Sequence, residues 1–299
     1  MIEPSYNQQD ELLHISLMDG QARVLLCTTR QLTQEAAIIH NTTPVCTAAM
    51  GRLMTGTAMM GAMLKGSRDS VTVTIKGGGP MGTLIAVSVP GQVKACVDHP
   101  QVELPVLPNG KLDVGGAVGR EGRMTVVKDM GLKEPYIGQV ELVSGEIAED
   151  FTMYFAKSEQ QPSLVSLGVL VAGQQVLQSG GLLIQAMPGC SEETIEHLEM
   201  RSPIFATISN ELNYAPIEQL AKEWFQGLEP VILGRQPLKY ACGCSRERME
   251  RALVTLGQKE LEQLIMEDQG AELGCHFCRS QYAFTTNDLK ELVKQATRA

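Results

Sequence analysis

Two short cysteine motifs near the C-terminal end decide the interpretation of this chain: Cys242-Gly243-Cys244 and, thirty residues later, Cys275-His276-Phe277-Cys278. In an extended segment, residues i and i+2 lie on the same face, so both cysteines of the first motif can face one point. A CxxC turn presents its two sulfurs in the same manner. Two such pairs separated by a domain-sized loop are typical of a tetrahedral zinc site. We therefore predict that Cys242, Cys244, Cys275 and Cys278 bind one Zn²⁺ ion.

The role of this site is open on the residues alone. Four cysteines commonly form a structural zinc clip that supplies folding free energy and nothing more. His276 is an alternative ligand, although two cysteine pairs already complete the shell. A disulfide closed across Gly243 would be strained and easily reduced again, so reversible oxidation is chemically plausible. Arg246, Arg248 and Arg279 are close enough in sequence to moderate the charge of four thiolates.

Charge and hydropathy bear on the partners and the compartment. The net charge is 25 minus 34, or −9, and the chain from Lys239 onward has nine basic and nine acidic side chains. Neither part has a basic face, which argues against nucleic acid as the main partner. Residues 47–64 are the longest apolar run, but Arg52 and three threonines interrupt it, and no signal pattern precedes it. We expect a cytoplasmic protein with reduced cysteines and no membrane partner.

Residues 1–187 have the pattern of one α+β domain, mainly antiparallel sheet with packed helices. Asp19-Gly20 predicts an opening hairpin, and a second hairpin is predicted around Ala172-Gly173. The segment Glu146–Lys157 is ambiguous between helix and strand. The remaining strands are predicted at 71–76, 83–89, 92–97, 123–129 and 136–143, and the helices at 31–40 and 47–66.

Two stretches of this domain each allow a functional and a structural interpretation. Gly77, Gly79 and Gly82 match GxGxxG, but a strand follows where a nucleotide site requires a helix, so a glycine-rich hairpin is favoured. The helix at 47–66 carries five of the fifteen methionines. Methionine suits adaptable binding surfaces, yet a helix that is apolar on most sides is usually core, which is the interpretation we prefer.

Residues 188–238 are predicted to be an amphipathic helical linker. Ser191 caps one helix and Pro216 opens another. In the second helix the apolar side chains recur at helical spacing and form one stripe. That stripe is our candidate switch or client-binding surface, with a permanently packed helical arm as the alternative. It comprises Ile217, Leu220, Ala221, Trp224, Phe225 and Leu228.

Residues 239–299 are predicted to form the zinc module. Ser245 caps a helix that runs to Leu256, a second helix covers 259–267, and strand pieces at 271–274 and 281–284 flank the CxxC turn. Thr285 with Asp288 resembles a capping box for a last helix. A core of this size is marginal alone, whereas zinc binding to small modules contributes about 10 to 16 kcal/mol. Oxidation of the thiolates should therefore unfold the module and expose apolar surface, which a chaperone holdase requires.

Six separated motifs, in order along nearly the whole chain, resemble the heat-shock protein 33 family of redox-regulated bacterial chaperones. They are 77–82 (GGGPMG), 127–132 (VKDMGL), 138–146 (GQVELVSGE), 158–160 (SEQ), 180–189 (GGLLIQAMPG), and the CGC and CHFC motifs. The match is weakest from 201 to 238.

The resemblance implies a stress-responsive, ATP-independent holdase that is inactive when reduced and zinc-bound. Oxidants with unfolding heat would release zinc and form two disulfides, Cys242 with Cys244 and Cys275 with Cys278. The linker would then unfold, and the protein would form a homodimer that binds unfolding client proteins. Reduction would reverse these changes.

The other cysteines lie outside the zinc motif. Cys27, Cys46 and Cys96 are in apolar contexts and are predicted to be small buried hydrophobic residues. Cys190, at the junction of a loop and a helix, is predicted to be an accessible thiol whose pKa the helix start would lower if it is exposed.

Two other classes of function are considered. A zinc-ribbon adaptor would bind its partner in the reduced, metal-loaded state. An enzyme is disfavoured because four cysteines leave zinc no open coordination position, the five histidines have no ligand or base spacing, and no thioredoxin-like pattern surrounds the CxxC. We assign no catalytic residue.

Overall fold

A computed structural model describes residues 6–267 and 269–296 of the chain. Their contacts define two compact units, the first ending at Ala241 and the second beginning at Cys242. Within the described residues, no helix combines the length and apolar character needed to cross a membrane. The first unit comprises β1 (Glu11–Leu17), β2 (Ala22–Thr28), α1 (Arg30–His40), α2 (Pro44–Ala62), β3 (Ser70–Lys76), β4 (Thr83–Val89), β5 (Gln92–Val97), α3 (Val114–Val118), β6 (Arg123–Asp129), β7 (Tyr136–Glu141), α4 (Ala148–Lys157), β8 (Ser163–Ala172), β9 (Gln175–Ala186), α5 (Glu192–Met200), α6 (Ser202–Phe205), α7 (Ile208–Tyr214), α8 (Ile217–Trp224), β10 (Val231–Pro237) and β11 (Lys239–Tyr240).

The strands of the first unit form two sheets. Sheet A has the order β10-β1-β2-β9-β8 and sheet B the order β11-β5-β4-β3-β6-β7. All these pairs are antiparallel except β11 with β5. The predicted α+β class with mainly antiparallel sheet is confirmed. Both predicted hairpins are present, β1 with β2 and β8 with β9.

Helix α2 contacts strands of both sheets, which explains why it is apolar all round. Its methionines Met50, Met54, Met59 and Met60 are at most 1% exposed, so the core interpretation is correct and these side chains are no open binding surface. The helix begins earlier than predicted because Pro44 occupies its first turn, where a missing N–H costs nothing. It also ends at Ala62, so the predicted stop at Gly66 is wrong.

Sheet A is buried on both of its faces. In β2, Leu25 and Cys27 belong to the core that contains α2, whereas Val24 and Leu26 belong to a second core on the opposite face. A strand covered on both sides has no polar face to alternate with, so it forms a continuous apolar run. The second core contains the side chains of the linker helices, which therefore form an outer layer on sheet A.

The glycine-rich loop between β3 and β4 is a close-packing feature. A Cβ on Gly79 would lie 2.5 Å from the carbonyl oxygen of Ala117 and from the amide nitrogen of Gly119. Gly82 has a φ of +72°, which favours glycine. The loop closes a hairpin, and the rejection of a nucleotide site is consistent with this geometry.

The second unit comprises α9 (Arg246–Val254), α10 (Gln258–Glu267), β12 (Gly270–Gly274), β13 (Gln281–Thr285) and α11 (Thr286–Ala296). Ser245 Oγ accepts a hydrogen bond from the backbone amide of Arg248 at 3.3 Å, which caps α9 as predicted. At α11, Thr285 and Asp288 exchange the two hydrogen bonds of the predicted capping box. Five side chains form the buried core of this unit: Leu253, Leu261, Phe284, Leu289 and Leu292.

Two segments resolve or correct the sequence predictions. The ambiguous segment before Lys157 is helical from Ala148. The predicted helical linker is helical only as far as Trp224, because residues Val231–Pro237 form strand β10, which pairs with β1 at the edge of sheet A.

Candidate metal centre and linker

The four cysteines of the two motifs converge in the second unit. Cys242 and Cys244 lie in a segment without helix or strand that leads into α9. Cys275 and Cys278 lie in the turn that joins β12 to β13, where the amide of Cys275 donates to the carbonyl oxygen of Ser280 at 2.9 Å. The pairing of these strands fixes the ends of the turn, from Gly274 opposite Gln281 onward.

The sulfur geometry fits a single metal ion. All four Sγ atoms lie within 4.8 Å of one another. The Sγ atoms of Cys242 and Cys275 are 3.6 Å apart, and those of Cys244 and Cys278 are 3.2 Å apart. Four sulfurs at about 2.3 Å from a tetrahedral zinc ion would lie about 3.8 Å apart. The cluster is close to that arrangement, and its all-thiol donor set suits a thiophilic ion such as zinc.

Hydroxyl groups accompany two of the sulfurs. The phenol oxygen of Tyr282 lies 3.1 Å from the sulfur of Cys244, and Ser280 Oγ lies 3.2 Å from that of Cys278. Burial raises the pKa of Cys278, but hydrogen bonds with Ser280 and with the sulfurs of Cys244 and Cys275 outweigh it and lower the pKa to about 6. At neutral pH this cysteine is therefore a thiolate, the form that binds metals and reacts with oxidants.

The pKa values of Cys244 and Tyr282 are raised, in contrast to that of Cys278. Burial raises the pKa of the Cys244 thiol, although the hydrogen bond with Tyr282 opposes this effect. The same hydrogen bond is the largest cause that raises the pKa of Tyr282 to about 12. The tyrosine consequently keeps its proton at neutral pH and remains able to donate it in a hydrogen bond to sulfur.

The basic side chains that were expected to lie near the four thiolates have different contacts. Arg248 donates to the carbonyl oxygen of Gly243 at 2.8 Å and so holds the backbone between the first two cysteines. Arg246 instead pairs with Asp288 at 3.0 Å and lies 4.4 Å from the centre of the Phe284 ring, where it supports the core of the unit. The side chains of Arg279 and His276 are exposed, and His276 is not one of the clustered groups.

The apolar stripe of the linker is covered in this structure. Phe225 is fully buried, Leu228 is 1% exposed, and Trp224 is 5% exposed. Phe205, from the preceding helix α6, packs against both aromatic rings, with ring centres 5.7 Å from Trp224 and 5.8 Å from Phe225. The stripe belongs to the core formed with β1, β2 and β9. Its residues Ile217, Leu220 and Ala221 are at most 2% exposed.

One residue that holds the linker was missed in the sequence. Asn7 donates to the carbonyl oxygens of Leu212 and Ala215, at 2.7 and 2.8 Å, and accepts from the amide of Ile217 at 2.8 Å. These groups lie where α7 ends and α8 begins, so the side chain satisfies backbone groups that the helix termini leave free. A single asparagine more than 200 residues from its partners carries no sequence signal, and neither does Tyr282 without knowledge of the cluster.

The remaining cysteines differ in burial. Cys27 and Cys46 are buried, as predicted, and burial raises the pKa of both, to about 12 for Cys27. Cys96, which was also predicted to be buried, is only half-buried on β5. Cys190 is half-buried and burial raises its pKa, so the lowering expected for an exposed thiol does not occur.

The fold and the cluster define a class of protein: an antiparallel α+β unit with a helical outer layer, followed by a small module whose four cysteines can hold a metal ion. The family model described as Hsp33 protein matches residues 10–285. The chain belongs to the Hsp33 protein family.

Individual relatives agree with this assignment over their full length. The "33 kDa chaperonin" of Clostridioides difficile (strain 630) is 48% identical over 96% of this chain and 99% of that protein. The protein of the same name from Bacillus subtilis (strain 168) is 44% identical over 97% and 100%. A crystal structure of the Thermotoga maritima 33 kDa chaperonin, a heat shock protein 33 homolog, has a TM-score of 0.89 at 34% identity and covers 98% of this chain and 100% of its own. Family membership supports a chaperone function, and these names denote chaperonins and not enzymes.

Proposed function

We propose that the protein is an ATP-independent holdase whose activity is switched by the oxidation state of its four cysteines. The observation that carries the proposal is the convergence of Cys242, Cys244, Cys275 and Cys278 within 4.8 Å in a unit with a small core. The role is non-enzymatic, since four cysteine ligands leave zinc no open position for a substrate. The proposed compartment is the reducing cytoplasm, and its proposed partners are unfolding proteins, not nucleic acid or membranes.

In the reduced state the four thiolates would hold one zinc ion. When bound, zinc ties the two motifs together and supplies folding free energy to the unit. The chain's own residues complete the arrangement: Arg248 holds the backbone at Gly243, and Ser245 caps α9 directly after Cys244. In this state the apolar stripe of the linker is packed on sheet A, so a client has no access to it.

Oxidation would break this arrangement. Hydrogen peroxide takes two electrons from each pair of thiols, and a disulfide and two water molecules result. The pairs proposed are Cys242 with Cys244 and Cys275 with Cys278, as the family resemblance implies. The short sulfur distances instead join one motif to the other, as expected for four ligands of one ion. Disulfide sulfurs are not thiolate ligands, so the metal is lost and the unit loses its main stabilisation.

The covalent path from the cysteines to the linker is short. Ala241 alone separates Cys242 from β11, whose two residues Lys239 and Tyr240 pair with β5, and Pro237 ends strand β10 just before. Heat together with the unfolding of the second unit would release these strands and then helices α5 to α8. The uncovered face of sheet A and the stripe itself, including Ile217, would become the client surface and allow a homodimer to form.

The test follows zinc release with a chromophoric chelator while peroxide is added at raised temperature. Light scattering of a heated client and the fluorescence of Trp224, the single tryptophan, are read in the same samples. We expect zinc loss, altered fluorescence and suppressed aggregation to occur together and to reverse with a thiol reductant. Suppression that is already complete in the reduced zinc form would support the zinc-ribbon adaptor instead. Zinc release without any suppression of client aggregation would indicate that the zinc site has only a structural role.

A further inference from the structure

The hydrogen bond between Tyr282 and Cys244 connects two parts of the second unit that are far apart in sequence. Tyr282 lies on β13, just after the CxxC motif, and Cys244 belongs to the CxC motif 38 residues earlier. Their oxygen and sulfur are 3.1 Å apart. Ser280, by contrast, reaches only Cys278, two residues away in the same turn. Tyr282 therefore joins strand β13 to the CxC motif.

The position of the tyrosine hydroxyl is set by the core of the unit. On β13, Tyr282 and Phe284 lie on the same face, two residues apart. Phe284 is 2% exposed and Tyr282 packs against the same apolar cluster. The strand is held opposite β12, where Tyr282 pairs with Leu273, and Arg246 donates to the carbonyl oxygen of Ala283 at 2.8 Å. The ring is thus anchored while its hydroxyl reaches the sulfur.

We infer that Tyr282 is a positioning residue that strengthens metal binding at Cys244 and slows the oxidation of that sulfur. The inference rests on the proposed function, because it takes the cluster to be a zinc site that oxidants attack. A metal-bound cysteine is a thiolate without a proton, so the hydroxyl must donate and the sulfur must accept. The hydrogen bond stabilises the unprotonated sulfur, which is the form that binds a metal, and holds it in its direction toward the other ligands.

Both consequences have the same origin. The cysteine thiolate attacks one oxygen of peroxide, which gives a sulfenic acid and hydroxide. A second thiol then attacks the sulfenic sulfur, and the disulfide and water form. A sulfur that accepts a hydrogen bond is a weaker nucleophile, so its attack is slower. Groups that support metal ligands in this way typically contribute about 10- to 100-fold to metal affinity. Tyr282 would thereby set the amount of oxidant that the switch requires.

The test compares Tyr282→Phe with the wild-type full-length chain. The variant keeps the ring in the core and removes only the hydroxyl. Cobalt(II) bound in place of zinc gives a sulfur-to-metal charge-transfer band whose energy falls when a sulfur loses a hydrogen bond. We expect this band to move to longer wavelength in the variant, zinc affinity in a chelator competition to fall about tenfold, and zinc release by peroxide to become several-fold faster.

Matched variants separate this role from a general loss of packing. Tyr214→Phe removes a hydroxyl from a side chain of the first unit that is 72% exposed, and should leave all three measurements unchanged. Thermal unfolding of the zinc-loaded Tyr282→Phe protein shows whether the second unit still folds. If it does not, Tyr282→3-fluorotyrosine keeps the ring and makes the hydroxyl a stronger hydrogen-bond donor, and the cobalt band should then move to shorter wavelength.

The outcomes distinguish the inference from the proposed function. An unchanged cobalt band and unchanged peroxide rate in a folded Tyr282→Phe protein would overturn the role of Tyr282 and leave the zinc switch intact. A wild-type protein that binds neither cobalt nor zinc would overturn the metal site and this inference together. A red-shifted band with faster zinc release would support both.

Discussion

The unit that ends at Ala241 and the unit that begins at Cys242 are stabilised by different means. The first has two large apolar cores, one on each face of sheet A. The second has five buried core side chains and a cluster of four cysteines. Domains of about sixty residues bury little surface on folding and are only marginally stable on their own. On the proposed function, a reagent specific for thiols is therefore expected to unfold the second unit and to spare most of the first.

The linker belongs to the first unit but has features of both. Its side chains, such as Phe225, are as deeply buried as the rest of the core. Its helices are short, however: α6 has four residues, α7 seven and α8 eight. Helices of this length are unstable alone and depend on tertiary packing. The linker should therefore be the part of the first unit that detaches with the smallest input of free energy.

The largest expected effect is that of removing the metal. Chelation of zinc, or the variant Cys275→Ser, should remove about 10 kcal/mol or more of stabilisation from the second unit and unfold it. Hydrogen exchange read by mass spectrometry should show lost protection from α9 to α11 and retained protection in α2 and sheet B. Cys96→Ser, at a half-buried position outside the cluster, is the matched control. Full protection of α11 without metal would refute the contrast between the units.

The next effect concerns the linker stripe. Trp224→Ala and Phe225→Ala should each cost about 3 to 5 kcal/mol, as truncations of buried aromatic side chains do. Because the helices have little stability of their own, we expect this loss to appear as detachment of the linker and as client binding by the reduced protein. Light scattering of a heated client and binding of a hydrophobic dye would detect it. Tyr214→Ala, at an exposed position of α7, should have neither effect.

How far the sequence predicts the structure differs between the regions for a physical reason. The second unit is built from local signals, such as Ser245 before α9 and Thr285 with Asp288 before α11, and these predictions are confirmed. Strand β10 was not predicted. Its partner β1 lies more than 200 residues earlier, at Ile15 opposite Ile232 for example, and local patterns do not report such pairing.

The candidate site shows the same division. The proximity of the four cysteines was predicted from their spacing, because a metal site needs several ligands and two close cysteine pairs are recognisable in a sequence. Tyr282 and Asn7 act through single hydrogen bonds whose partners are distant in sequence, and no pattern distinguishes them from other polar residues. The disulfide pairing and the division of the chain into residues 1–187, 188–238 and 239–299 remain predictions.

A smaller effect should make the first unit sensitive to pH through Asp10. Burial raises the pKa of this carboxyl from 3.8 to about 6, although the amides of Leu32 and Gln31 donate to it. The folded state therefore holds the proton more tightly than the unfolded state. The contribution of Asp10 to stability is largest below pH 4, declines between pH 4 and 6, and amounts to about 3 kcal/mol.

Urea unfolding of the first unit at several pH values would measure this effect. The stability of the wild-type protein relative to Asp10→Asn should fall as the pH rises from 4 to 6 and stay constant above. Asp98→Asn is the control of opposite sign, since the hydrogen bond from the amide of Thr83 lowers the pKa of Asp98 and its contribution is lost as the pH falls. A difference between wild type and Asp10→Asn that does not vary with pH would contradict the assignment.

The smallest effect should come from Asn7, and it tests whether the linker is the weakest part of the first unit. Asn7→Ala removes three half-buried hydrogen bonds to the junction of α7 and α8, at a cost of about 1 to 3 kcal/mol. Since sheet A does not depend on this side chain, hydrogen exchange should become faster in Ile208–Trp224 and remain unchanged in β2 and β9. Asn109→Ala, in an exposed turn, is the control. Uniformly faster exchange through sheet A would mean that linker and sheet unfold as one unit, and that oxidation could not release the linker separately.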